Sequence, residues 1–133
     1  MNLPITCFLI DDDEDDQEIF ALALKKLDTS ITCVFANDGS EALHKLQQDE
    51  AFMPQYIFLD LNMPGMTGKQ CLPELKKINR LQHTPIIIFS TSSELKDVQE
   101  TRQLGADEFI TKPALISDLT NQLARLFPRH QLA

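Results

Sequence analysis

Two apolar runs in this chain end on acids. Residues 5–10 lead straight into Asp11, Asp12 and Asp13, and Tyr56 to Leu59 stop on Asp60. Unbroken runs with aromatic and β-branched members read as strands buried on both faces. Asn62, Pro64 and Gly65 follow Asp60 at once as loop signals. The Asp60 carboxylate is therefore expected at the carboxyl end of a strand, where open parallel sheets bind their ligands. A single strand-end Asp is ordinarily a helix cap or a loop acid. Two such ends side by side would bring Asp11, Asp12 and Asp60 together. Carboxylates that close raise one another's pKa unless a cation neutralises them. An oxygen-only, water-accessible cluster suits a hard ion such as Mg²⁺, with Mn²⁺ as the alternative. Glu14, Asp15 and Asp16 read instead as the acidic first turn of a helix, favoured by the helix dipole.

The elements that must carry these acids alternate along the chain. Apolar residues at helical spacing predict a helix over Glu14–Leu27, through Ile19, Phe20, Ala23, Leu24 and Leu27. A strand is expected at 31–36, then a turn at Asn37, Asp38 and Gly39, with Ser40 as cap of a short helix through Ala42, Leu43 and Leu46. Gly68 opens a third helix through Leu72, Leu75 and Ile78, with Pro73 tolerated near its first turn. Pro85 introduces the most β-prone run, 86–89, which ends in Ser90, Thr91, Ser92 and Ser93. The helix expected at 94–104 has few apolar anchors, Leu95, Val98 and Leu104, and so belongs to the low-stability end of the fold. Gly105 ends it. A short strand, Glu108–Thr111, leads into Lys112 and Pro113. The last helix runs from Leu115 through Ile116, Leu119, Leu123 and Leu126 to Phe127, closed by Pro128. Five strand-then-helix repeats require parallel strands with right-handed crossovers, hence one doubly wound α/β domain.

Composition narrows the partners. A single domain of 133 residues is long enough to bury a core. Its net charge of −8 argues against direct binding to nucleic acid or an anionic membrane surface. No apolar run reaches the length of a membrane span and the first residues lack the pattern of a signal peptide, so a cytoplasmic protein is expected. Cys7, Cys33 and Cys71 are scattered without metal-ligand spacing and read as reduced, buried small hydrophobes.

The strand ends form an ordered set: Asp11 and Asp12, then Asp60, then Ser90 and Thr91, then Lys112. This set resembles the receiver domain of bacterial response regulators, over essentially the whole chain. The resemblance rests on Phe-Leu-Ile-Asp-Asp-Asp at 8–13, Leu-Asp-Leu-Asn-Met-Pro-Gly-Met-Thr-Gly at 59–68, Pro-Ile-Ile-Ile-Phe-Ser at 85–90, and the Lys112, Pro113 pair. It implies a flavodoxin-like five-stranded sheet of order 2-1-3-4-5, with no output domain. It implies that Asp60 accepts a phosphoryl group from a phosphohistidine of a partner kinase or phosphorelay protein, with Mg²⁺ held by Asp12, Asp60 and the Asn62 carbonyl, and by Asp11 through water. Lys112 would contact the phosphoryl group and Ser90 would be the switch hydroxyl. Thr91 departs from the small residue usual next to it, which bears on the phosphorylated lifetime. A cis peptide is implied between Lys112 and Pro113. Phe109 matches the family's rotating aromatic and equally fits a static core residue.

His44, His83 and His130 lie away from all these motifs and read as surface residues, so the phosphodonor is expected to be a separate protein. The Ser90, Thr91, Ser92 run and short tail are similar to single-domain regulators that partner phytochrome-type kinases. Phosphorylation-dependent pairing with a second copy is a further expectation. Two other classes fit less well. A metal-dependent aspartyl phosphatase would place its nucleophile on the first strand in an Asp-x-Asp pattern, and would add a cap. A flavin mononucleotide module needs a hydroxyl-rich loop where this chain carries six acids, residues 11–16.

Overall fold

The computed structural model describes residues 5–130, and the side chains up to residue 127. Five parallel strands form one sheet in the order β2-β1-β3-β4-β5: β1 Thr6–Ile10, β2 Thr32–Ala36, β3 Tyr56–Leu59, β4 Ile86–Ser90 and β5 Glu108–Thr111. The crossovers are α1 Glu14–Leu27, α2 Gly39–Gln48, α3 Gly68–Lys76 and α4 Leu95–Gln103, and α5 Ile116–His130 closes the chain. The expected doubly wound architecture is the one observed.

Successive strand residues point to opposite faces, so each central strand feeds two cores. Phe8, Ile10, Ile57, Leu59, Ile86 and Ile88 pack with Ala42 and Leu46 of α2 and with Leu72 and Leu75 of α3. Cys7, Leu9, Tyr56, Phe58, Ile87 and Phe89 pack with Phe20 of α1 and with Leu119 and Leu123 of α5. This double burial is why the strands read as continuous apolar runs. Tyr56 satisfies its buried hydroxyl by donating to the Phe127 carbonyl at 2.9 Å. Among the described residues, no helix is long and apolar enough to cross a membrane.

Several local expectations are corrected. Asp38, not Ser40, caps α2: its carboxylate accepts from the Glu41 N–H at 2.7 Å, and Ser40 lies one turn-step inside the helix. Leu95 does not anchor α4 but is 68% exposed, and the buried residue of that helix is Thr101, whose hydroxyl donates to the Asp97 carbonyl. The backbone of α5 continues past Pro128 to His130. Proline obstructs the turn before it, while its own fixed φ is already helical, so the residues that follow can extend the helix. Cys33 is only half-buried, because β2 is an edge strand. His44 and His83 are exposed as expected, whereas the His130 side chain lies outside the described residues.

Gly68 brings the start of α3 directly against the candidate site. A Cβ there would collide with the Asp60 carbonyl and lie 2.7 Å from Leu61 Cα, both backbone atoms with no freedom to retreat. The Gly68 N–H also donates to the Leu61 carbonyl at 2.9 Å. Gly68→Ala is therefore expected to destabilise the fold by about 2 kcal/mol despite alanine's better helix propensity. Urea denaturation checks this, and an unchanged midpoint would contradict the close contact.

Candidate functional site

Strand register assembles the acids. Ile10 is paired with Leu59, so the residues after them, Asp11 and Asp60, leave the sheet side by side. The ladder continues one step into both: the Asp60 N–H donates to the Ile10 carbonyl at 2.9 Å and the Asp11 N–H to the Ala36 carbonyl at 3.0 Å. Carboxylate oxygens of Asp11, Asp12 and Asp60 all lie within 4.8 Å of one another. Asp11 is fully buried, Asp60 is 5% exposed, and Asp12 faces solvent.

On the far side, Ser90 is paired with Thr111, and the Lys112 N–H donates to the Ser90 carbonyl at 2.7 Å. This register directs the Lys112 side chain into the acids. Its Nζ lies 2.9 Å from Asp11 Oδ2, 2.7 Å from Asp16 Oδ2 and 3.6 Å from Asp60 Oδ2. The same ammonium stands 5.4 Å from the Phe89 ring centroid, a cation–π arrangement. Burial works against the charge on Lys112, but the hydrogen bonds to Asp16 and Asp11 and the field of Asp60 outweigh it and hold its pKa above the ordinary value. The Asp60 carboxyl is pushed up to about 6, first by burial; Lys112 and the Asn62 N–H oppose the rise, while Asp11 and Asp12 add to it. Burial likewise raises Asp11, with Lys112 pulling the other way.

Ser90 is buried, and its Oγ accepts from the Ser92 N–H at 3.3 Å, whereas Thr91 is exposed. Asn62 is exposed, and its N–H donates to Asp60 Oδ1 at 3.4 Å. Phe109 is half-buried against the core under α2 and α3. It lines a cavity of about 470 Å³ with Val98, Thr101, Ala106 and Thr111. The expected cis peptide is absent: no cis bond occurs among the described residues, and the bond from Lys112 to Pro113 is trans. The trans form is intrinsically preferred even before proline, and with it Lys112 already reaches its three acids, so nothing in this arrangement calls for the cis form.

Sequence reasoning missed three participants. Asp13 caps α1, accepting from the Asp15 and Asp16 N–H groups at 2.9 and 3.2 Å. That cap turns Asp16 toward the strand ends, where it pairs with Lys112 instead of serving only the helix dipole. Gln17 donates from Nε2 to the Asp11 carbonyl at 2.8 Å and to Asn37 Oδ1 at 3.0 Å, tying the β1 and β2 ends together. Lys112 and Asn37 are distant in sequence from Asp16 and Gln17, so no local pattern marks those two, whereas the Asp13 cap is local, an Asp just before the helix.

The doubly wound sheet thus brings a buried acid pair, a buried hydroxyl and a half-buried lysine to neighbouring strand ends, the arrangement of a signalling receiver domain. The chain belongs to the response regulator receiver domain family, whose model matches residues 7–124. It is similar to the response regulator Rcp1 of Synechocystis, 29% identical over 122 residues, covering 89% of this chain and 83% of that protein. It also resembles the crystal structure of the phosphorylated cyanobacterial phytochrome response regulator RcpA, with TM-score 0.84, 29% identity, and coverage of 94% of this chain and 92% of that one. The Mn²⁺-bound form of Rcp1 superposes with TM-score 0.78 and 26% identity, covering 93% and 92% of the two chains.

The raised Asp60 pKa fixes a pH dependence. Its carboxyl titrates near 6 in the folded chain against 3.8 unperturbed, so between those values the native state holds a proton that the unfolded chain has lost. Stability is then expected to rise as pH falls from 7 toward 4 in metal-free buffer. Asp60→Asn should be more stable than the parent at pH 7 by about 1–3 kcal/mol and show a shallower rise. Urea midpoints across this pH range check both. A parent whose stability falls steadily from pH 7 to 4, with no gain in the variant, would contradict the assignment.

Proposed function

We propose that this chain is a receiver in which Asp60 accepts a phosphoryl group from the phosphohistidine of a separate sensor kinase or phosphorelay protein. The observation that carries the reading is the Lys112 ammonium seated among Asp11, Asp16 and Asp60, with the buried Ser90 at the end of the neighbouring strand. One Asp60 oxygen attacks phosphorus, a P–O bond forms, and the P–N bond breaks with its electron pair leaving on the ring nitrogen, so that the imidazole departs neutral with a proton on its other nitrogen or one taken up at the freed nitrogen. Lys112 balances the Asp60 carboxylate before transfer and the phosphoryl oxygens after it. The Ser90 hydroxyl is free to donate to one of those oxygens, since its present hydrogen bond uses it as an acceptor.

The donor set suits Mg²⁺ or Mn²⁺: three carboxylates with oxygens within 4.8 Å, one of them exposed, and no nitrogen or sulfur ligand. Asp11, Asp12 and Asp60 would hold the ion with the Asn62 carbonyl. When bound it supplies positive charge against both the acid cluster and the transferring phosphoryl oxygens.

Readout in this proposal passes through α4. That helix buries only Thr101, and the cavity beside Phe109 gives the ring somewhere to turn when Ser90 moves toward the phosphate. The face of α4, β5 and α5 then serves a downstream protein or a second copy of the chain. The likeness to RcpA, a phytochrome response regulator, favours a phytochrome-type kinase as donor.

The deciding experiment is mass spectrometry after incubation with acetyl phosphate and Mg²⁺. The parent is expected to gain one phosphoryl group and Asp60→Asn none; undiminished label in Asp60→Asn would assign the acceptor elsewhere. Millimolar Mg²⁺ is expected to raise the melting temperature of the parent, because it binds only the native state, and to raise that of Asp12→Ala much less. Equal shifts in the two proteins would remove Asp12 from the metal site.

A further inference from the structure

The segment that carries Ser90 into α4 is held by a hydrogen-bonded chain that ends on α3. The Ser92 N–H donates to Ser90 Oγ at 3.3 Å, and the Ser92 hydroxyl donates to Asp97 Oδ2 at 2.5 Å. The other oxygen of Asp97 pairs with Lys69 Nζ at 2.6 Å, and Lys69 also meets Glu100 Oε2 at 2.7 Å. Lys69 and the Ser92 hydroxyl together hold the Asp97 carboxyl below the ordinary carboxylate range. From the opposite side, the Thr111 hydroxyl donates to the Ser92 carbonyl at 3.1 Å, one residue before Lys112.

Lys69 follows Gly68, whose contact with the Asp60 and Leu61 backbone leaves no room for a Cβ. The start of α3 is therefore fixed to the nucleophile strand. Through Lys69, Asp97 and Ser92 that fixed point reaches the loop that follows Ser90, so the start of α3 and the end of β4 are tied together. The α4 end of the tie has little else to hold it, since Glu94, the capping residue, makes no side-chain cap hydrogen bond and Thr101 is the only buried residue of the helix.

We propose that Asp97 and Lys69 are positioning residues for phosphoryl transfer at Asp60: their ion pair, acting through Ser92, sets the distance between the Ser90 hydroxyl and the acceptor carboxylate. The inference rests on the phosphoacceptor reading of Asp60 and adds two residues that touch none of the reacting atoms. A single ion pair that solvent still reaches adds little to global stability, so the consequence belongs to local geometry and to rate. Small misplacements of a group near the reacting centre have large kinetic effects.

The test compares the parent with Asp97→Ala, Lys69→Met and the conservative Lys69→Arg, each first shown to melt cooperatively. In unphosphorylated protein, amide exchange over residues 90–94 is expected to quicken at least tenfold in Asp97→Ala and Lys69→Met, with β1 and β3 unchanged. With acetyl phosphate and Mg²⁺, the same two variants should label at least fivefold more slowly at saturating donor, and Lys69→Arg should restore most of the rate. Should Asp97→Ala fail to fold, Lys69→Met carries the same comparison. Normal labelling of both variants overturns the inference and leaves the acceptor reading intact. So does slower labelling with unchanged exchange at 90–94. A parent that takes no label at Asp60 overturns the acceptor reading and this assignment with it.

Discussion

One ammonium group among buried carboxylates is the constraint on which the site depends. Asp11 is fully enclosed and Asp60 nearly so, and two carboxylates in that position repel while losing most of their hydration. Lys112 is the cation that makes the arrangement tolerable, and it arrives from the opposite half of the sheet. Asp16 completes the local balance from the first turn of α1. The cluster still carries three acids around Lys112, with exposed Asp12 at its edge, so it stays electron-rich and receptive to positive charge or to a group whose binding brings a cation along. The strain of the ionised state is visible in the rise of the Asp60 pKa to about 6.

The fold supplies this juxtaposition through register. Parallel pairing of β1 with β3, and of β4 with β5, places Asp11 beside Asp60 and Lys112 beside Ser90. Double burial of the strands fixes that register, because a one-residue slip would exchange the two apolar faces of every strand. The core that stabilises the chain is thus also the device that holds the site geometry. The mobile parts of a switch must come from outside it. α4 meets that requirement, with one buried residue and a cavity at its base.

Much of this was legible in the residue order. Unbroken apolar runs ending in Asp, Ser or Lys marked the strand ends, and their alternation with amphipathic stretches required parallel strands. Asp11, Asp12, Asp60 and Lys112 meet at those strand ends, and Ser90 closes the strand next to that of Lys112. What escaped was tertiary. Asp16 looked like a helix-dipole acid because its partner lies 96 residues away. Leu95 looked like an anchor because periodicity does not tell which side of a short helix meets the sheet, and Thr101 was overlooked as a core residue for the same reason. The trans bond before Pro113 and the helical backbone beyond Pro128 both show how weakly a proline alone determines local geometry.

Compensation of the buried acid pair by Lys112 can be followed by carbon-13 titration of the aspartate carboxyl groups in metal-free parent and in Lys112→Met. The Asp60 carboxyl is expected to titrate at about 6 in the parent and higher in the variant, with Asp11 moving in the same direction. An Asp60 carboxyl that titrates in the ordinary carboxylate range and does not respond to the loss of Lys112 would contradict it.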